Sequence, residues 1–198
     1  MDDPTPQTRR AREGIRTLTE ARALSALAHP LRSRILDALK ADGPATASRL
    51  AEATDQAVGS ASHHLKVLAE AGLVEEAPEL ARDRRERWWR LVGRGTRWSR
   101  SEISDPAALA AADAAEALVW RRTSERVEEW LAADDGTGEW TDAAFATQNW
   151  LRLSPDELRQ VAEEVMDVLE RWSTREIPDD DVQREAIYVA ARGFPSRP

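Results

Sequence analysis

The chain has no cysteine among its 198 residues. That excludes disulfides, thiolate metal sites and cysteine nucleophiles, and it suits a reducing cytoplasm, the expected location. Histidine is nearly as scarce: His29, His63 and His64 are the only three. A transition-metal site needs several soft or imidazole donors at short spacing. Neighbouring histidines on a helix point about 100° apart, so His63 and His64 cannot chelate as an i, i+4 pair would. Metal sensing of the cysteine/histidine type is therefore not expected, and neither is a cofactor. Asp179–Asp181 reads as a solvated acidic turn. With one tyrosine, Tyr188, no Gly-rich phosphate loop and no histidine after residue 64, no catalytic constellation presents itself. Glu128, Glu129, Glu163 and Glu164 read as solvated helix faces. No run of about 18 apolar residues exists to span a membrane, and the polar N-terminus lacks the apolar core of a secretory signal.

Lysine is also rare, with Lys40 and Lys66 the only two, so the positive charge is carried by arginine. The net charge of −8 is unevenly divided. Residues 1–100 hold 18 basic against 14 acidic residues, a net of +4, whereas residues 101–198 hold 10 against 22, a net of −12. Exposed charges are screened beyond about 10 Å at moderate salt, so the acidic half does not forbid binding of a polyanion by the other half.

The pattern along the chain is mainly helical. Residues 1–14 are polar and read as a flexible tail. Apolar positions at three- and four-residue steps from Thr17 to Ala28 predict an amphipathic helix, broken at His29-Pro30. Pro30 suits the first turn of a second helix carrying Leu31, Ile35, Leu36 and Leu39, which ends near Asp42-Gly43. Thr46 is an N-cap candidate for a third helix. A turn at Thr54-Asp55 leads to a fourth, roughly Ala57–Ala71, with Ala61, Leu65 and Leu68 inward and Gly72 as its C-cap. Leu73-Val74 and Arg87–Val92 then read as a β-ribbon around an arginine-rich loop. Helix, tight turn, helix, helix stop and ribbon, in that order, make a winged helix-turn-helix, expected over residues 15–98.

Residues 99–198 read as a helical region for dimerisation and effector binding. One long helix is expected over Pro106–Ala133. A second starts at Ser154-Pro155-Asp156-Glu157 and runs to about Arg175, with Leu158, Val161, Val165, Val168, Leu169 and Trp172 inward. A short terminal strand is expected over Ala186–Ala191.

A winged helix-turn-helix places its second helix in the major groove and its wing beside the phosphates. The expected DNA-contacting residues are Gln56, Ser60, Ser62, His63 and Lys66 at and on the fourth helix, with Arg82, Arg84, Arg85 and Arg87 in the wing. Small hydroxyls allow close approach to base edges, His63 can reach a guanine or a backbone oxygen, and Lys66 fits a phosphate. Each feature alone also reads as an ordinary solvated surface; their order and separation favour DNA. The eight tryptophans read as core and dimer interface. Trp120, Trp130, Trp150 and Trp172 are also candidates to line a pocket for a small apolar effector.

Residues 21–95 resemble the ArsR family of bacterial winged-helix repressors, through ALSALAHPLRSRILDAL, TASRLAEAT, SHHLKVLAEAGLV and ERWWRL. The resemblance implies a homodimer that binds an imperfect palindrome in double-stranded DNA and represses transcription until an effector releases it. By position, Ser60, Ser62 and His63 match that family's base- and backbone-contacting residues, and His64 its inward or interfacial histidine. Dimer contacts are expected from the first helix and the long helix. The chain departs from the family in three places. Asp55-Gln56 stands where a glycine and a leucine are usual, Gly59 stands where a polar side chain is usual, and the C-terminal extension is far longer than a single dimerisation helix. Two other readings stand beside this one: a winged helix used for protein contact, and a small-molecule-binding C-terminal domain with the winged helix as accessory.

Overall fold

A computed structural model of the chain describes residues 14–83, 86–134 and 136–197. The expected tail lies, apart from Gly14, outside the described residues. The molecule divides into two compact units, one of residues 14–125 and one that takes in residues 126–197.

The first unit is a winged helix-turn-helix. Strand β1, Ile15–Thr17, precedes helix α1, Ala21–Leu27, and α2, Pro30–Asp42. The short strand β2, Ala45–Thr46, leads into α3, Ala47–Ala53, and α4, Val58–Glu70. Strands β3, Val74–Glu76, and β4, Trp88–Leu91, form the wing ribbon, and β5, Gly95–Arg97, follows. Helices α2 and α3 start at side-chain caps. His29 Nδ1 accepts from Leu31 N–H, with Pro30 at the first helical position. Thr46 Oγ1 accepts from Arg49 N–H. Helix α4 stops at Gly72, whose φ of +67° suits glycine. There Leu73 N–H donates to Leu68 O and Gly72 N–H to Ala69 O, a paired closure that satisfies the last carbonyls.

The core gathers one face from each element. Leu24 of α1, Ile35 of α2, Leu50 of α3 and Leu65 and Leu68 of α4 are all at most 1% exposed. The central strand of the three-stranded sheet β2-β4-β3 adds Trp89. In that antiparallel sheet Val74 lies opposite Leu91, Glu75 opposite Arg90, and Ala45 opposite Trp89. The unit runs past the expected boundary at residue 98 because Ile103 and α5, Pro106–Ala133, belong to the same core. Asp105 starts α5 by accepting from Ala107 and Ala108 N–H. Ala108, Ala111, Ala112, Ala115 and Leu118 form its buried stripe. Arg122 fastens α5 to α2, donating to Ser33 Oγ at 2.5 Å and Asp37 Oδ2 at 2.7 Å.

Two expectations are corrected. The chain before Ala21 is not helical: Ile15–Thr17 pairs in parallel with Gly95–Arg97 as a second sheet, which satisfies its backbone polar groups. The terminal strand at Ala186–Ala191 is not formed, because among the described residues no second strand pairs with it, and an unpaired strand has no ladder to hold it.

In the second unit α6 spans Glu139–Ala143 and α7 spans Pro155–Thr174. Ser154 and Glu157 cap α7 reciprocally, Oγ accepting from Glu157 N–H and the carboxylate from Ser154 N–H. No residue of α7 is buried: Leu158, Val161, Val165 and Leu169 are half-buried, and Val168 and Trp172 of the expected inward set are exposed.

The turn between α3 and α4 is built around one residue in the left-handed region. Asp55 has φ +52°, the left-handed region that favours glycine and tolerates aspartate. Around it Thr54 Oγ1 donates to Leu50 O and Gln56 N–H to Ala51 O. Asp55→Val should therefore destabilise the domain by at least about 1 kcal/mol in denaturant unfolding, whereas Asp55→Gly should not; equal losses in both would sink this account of the turn.

Candidate nucleic-acid interface

Helix α4 has two faces because of its spacing alone. At about 100° per residue, Ala61, Leu65 and Leu68 fall on one side, and all three are fully buried. Gly59, Ser62, His63, Lys66 and Glu70 fall on the opposite side within an arc of about 100°. His63 and Lys66 are exposed and Ser62 is half-buried. Ser60 lies about 60° outside that arc and is also half-buried, so it stands at the shoulder of the face. A side chain at Gly59 would meet nothing within 4 Å, so this glycine leaves the start of the face bare. Gln56 sits in the turn with its side-chain amide donating to Asp55 O at 2.6 Å.

The wing contributes fewer unengaged cations than its composition suggests. Arg87 is 3.5 Å from Glu76, and Arg90 lies between Glu75, at 2.7 Å, and Glu79. Glu86 folds the loop back by accepting from Arg82 N–H, which holds its carboxyl below the usual range, while Glu86 N–H donates to Asp83 Oδ1. The Arg82 side chain is exposed. Arg84 and Arg85 lie outside the described residues. Such exposed ion pairs contribute little to stability, so a competing anion can displace them at small cost.

Arg49 was not singled out by sequence reasoning. It is exposed on α3, its guanidinium 5.1 Å over the ring of Trp88, so it bridges the first helix of the motif to the wing strand. Its signal was available: an arginine on the outer side of the helix that crosses the backbone in this motif. At the other end of α4, Glu70 is held by Arg22 at 2.5 Å, which neutralises the one carboxylate on the outward arc.

The three histidines converge. The rings of His29 and His64 lie 4.5 Å apart and those of His63 and His64 5.2 Å apart. His64 thus ties α4 to the α1–α2 junction, where Arg32 donates to Ala26 O and Ser25 O. Burial holds the His64 pKa below its ordinary value, with the charges of His29, Arg32 and His63 acting in the same direction. Burial and then Arg32 lower His29 likewise. Among the described residues no group of three or more His, Asp or Glu side chains is placed to hold a metal ion, and no helix is long and apolar enough to cross a membrane.

The tryptophans proposed for an effector are all exposed. Trp120 and Trp130 lie on α5, Trp150 on a segment without helix or strand, and Trp172 near the end of α7, with the Arg175 guanidinium 4.8 Å from its ring.

Fold and sequence together define a helix-turn-helix domain within the chain. The model of a helix-turn-helix domain family matches residues 27–77, the stretch from the end of α1 to the start of the wing. Among solved structures, a winged helix-turn-helix DNA-binding domain from Mycobacterium bovis is similar; it is described as homodimeric and as part of a possible ArsR-family transcriptional regulator. It is 23% identical, with a TM-score of 0.33 over 64% of this chain and 91% of its own. No curated protein matches the chain.

The histidine cluster sets a pH dependence. His29 and His64 have folded pKa values below their unfolded ones, so the unfolded chain binds more protons and stability rises with pH. Their contribution is full above about pH 6.5 and is lost as pH falls through the lowered values. Denaturant unfolding at pH 7.5 and 5.5 should show a smaller pH-dependent loss in a His29→Asn, His64→Gln variant than in the parent. Asparagine keeps the N-cap acceptor without a titrating ring. Identical losses would remove the cluster from the explanation.

Proposed function

We propose that the chain is a sequence-specific, DNA-binding transcriptional regulator that acts as a homodimer and represses from an imperfect palindrome. The observation that carries this reading is the outward arc of α4. It holds a bare glycine, a small hydroxyl, an imidazole and an ammonium group directly opposite a fully buried stripe. A helix held this firmly at its back can enter a major groove without bending away. Ser62 and His63 are assigned to base edges, with Ser60 at the shoulder. Lys66, Gln56 and the wing arginines Arg82, Arg84, Arg85 and Arg87 are assigned to phosphates, and Arg49 is added to that set.

The dimer is assigned to α5. Val127, Trp130 and Leu131 are exposed and share an arc of about 100° on that helix, an apolar strip suited to a second copy of itself. In a symmetric dimer the two copies of α4 would address successive major grooves about one helical turn apart. Use of the winged helix for protein contact is the second reading, supported by the apolar face of α7, which leaves no residue buried.

The test is selection of genomic fragments by the purified chain, followed by anisotropy titrations on the retained and on random duplexes at two salt concentrations. Ser62→Ala and His63→Ala should cost about 1–3 kcal/mol each on the selected site and much less on random DNA. Lys66→Gln and Arg82→Gln should weaken both duplexes alike and lower the salt slope by about 0.9 per lost phosphate contact. Retention of no DNA at low salt would overturn the proposal and favour the protein-contact reading.

A further inference from the structure

The winged-helix unit contains a cleft of about 250 Å3 between the β1–β5 ribbon, α2 and the segment that follows α4. Its lining is divided by chemistry. Leu27, Leu36, Leu73 and Leu91 supply aliphatic surface, and Val92 at its edge is 47% exposed although it is aliphatic. Among the described residues the charged members of the lining are Arg16, Lys40 and Arg94, all basic. In a chain with more acidic than basic residues, a concave apolar surface whose described charged residues are all basic is a chemically selective feature.

Arg16 is the informative member. Its Nη1 donates to Gly72 O at 2.6 Å and to Ala71 O at 3.4 Å. Both acceptors are carbonyls, so these contacts orient the guanidinium without neutralising it. The contact is close: a Cβ at Gly72 would come within 2.5 Å of Arg16 Nη1. The ribbon that carries Arg16 is also tightly built, since a Cβ at Gly93 would lie 2.5 Å from Gly14 O. Lys40 is 3.7 Å from Asp37 along α2, a loose pairing at an exposed site.

We propose that this cleft binds a small amphiphilic monocarboxylate, its hydrocarbon part on the leucines and its carboxylate on Arg16. The volume lies just under the ~300–1,000 Å3 range of drug-sized ligand sites, which restricts the ligand to a short chain or a single ring system. A carboxylate adds to the charged donor an ionised acceptor and a bidentate fit that the neutral Gly72 carbonyl lacks, so it competes for a guanidinium that holds Gly72 O. Occupancy therefore loosens the C-terminal closure of α4. This gives the cleft a line to the helix assigned to DNA, but ligand binding itself does not depend on that assignment.

The probe is octanoate, titrated calorimetrically into the full chain without DNA. One saturable site per chain is expected, with octanamide at least tenfold weaker because it lacks the charge. Arg16→Gln should weaken octanoate at least tenfold. Because Arg16 also caps α4, a second variant, Val92→Glu, places a carboxylate at the exposed edge of the cleft and should abolish binding while leaving the thermal transition unchanged. Hydrogen exchange at the Gly72 and Leu73 amides should accelerate when octanoate is added to the parent and not when it is added to Val92→Glu. No saturation at millimolar octanoate, equal affinity for octanamide, or undiminished binding by Val92→Glu would each overturn the site. Unchanged exchange at saturation would overturn its link to α4. Loss of DNA binding with octanoate binding intact would count against the regulator reading and leave the cleft standing.

Discussion

Helix α4 can present a polar arc to solvent because its opposite side is withdrawn from water completely. Ala61, Leu65 and Leu68 are each 0% exposed, set in a core with Leu24, Ile35 and Leu50. Burying a leucine side chain contributes roughly 1.5–3 kcal/mol, and cutting one to alanine costs about 2–5 kcal/mol. The orientation of Ser62, His63 and Lys66 is thus a consequence of which residues lie behind them. The left-handed turn at Asp55 and the glycine closure at Gly72 limit the helix at its two ends, so its length and direction are both determined. The wing, the histidine cluster and the Arg16 contact all attach to this one helix or its immediate continuation.

The long helix α5 joins the same core by a different device. Its buried stripe is almost entirely alanine, so close approach rather than large side chains supplies its packing. Specificity of placement then comes from a polar contact, Arg122 to Ser33 and Asp37, whose side chains are 14% and 34% exposed for the ion pair. Beyond that contact the apolar residues of α5 are exposed, and α7 carries an amphipathic surface with no buried residue.

Electrostatics divides the molecule in a way that bulk charge conceals. The chain is acidic overall, yet Arg49, Lys66 and Arg82 are exposed on the elements around the α4 face, and Glu70, the acidic member of the arc, is paired with Arg22. The wing carboxylates Glu75, Glu76 and Glu79 hold Arg90 and Arg87 in place. In the cleft lined by Arg16 and Leu73 the balance is reversed, with only basic residues among its described charged members.

Local signals in the sequence determined the motif itself. The caps at Thr46 and Ser154, the stop at Gly72, the period of Ala61, Leu65 and Leu68, and the ribbon around Val74 and Trp88–Leu91 depend on residues a few positions apart, and contiguous sequence carries that information. The ends of the chain's first strand did not, because Ile15–Thr17 is too short to show a period and its partner, Gly95–Arg97, is about eighty residues away. The same limit applies to Ala186–Ala191, whose composition suits a strand but which has no strand to pair with among the described residues. Arg49 over Trp88, His29 beside His64 and Arg16 against Gly72 join residues 35 to 56 positions apart. Periodicity and propensity act along the chain, whereas these contacts exist only once the core has brought distant segments together, and tertiary structure alone decided them.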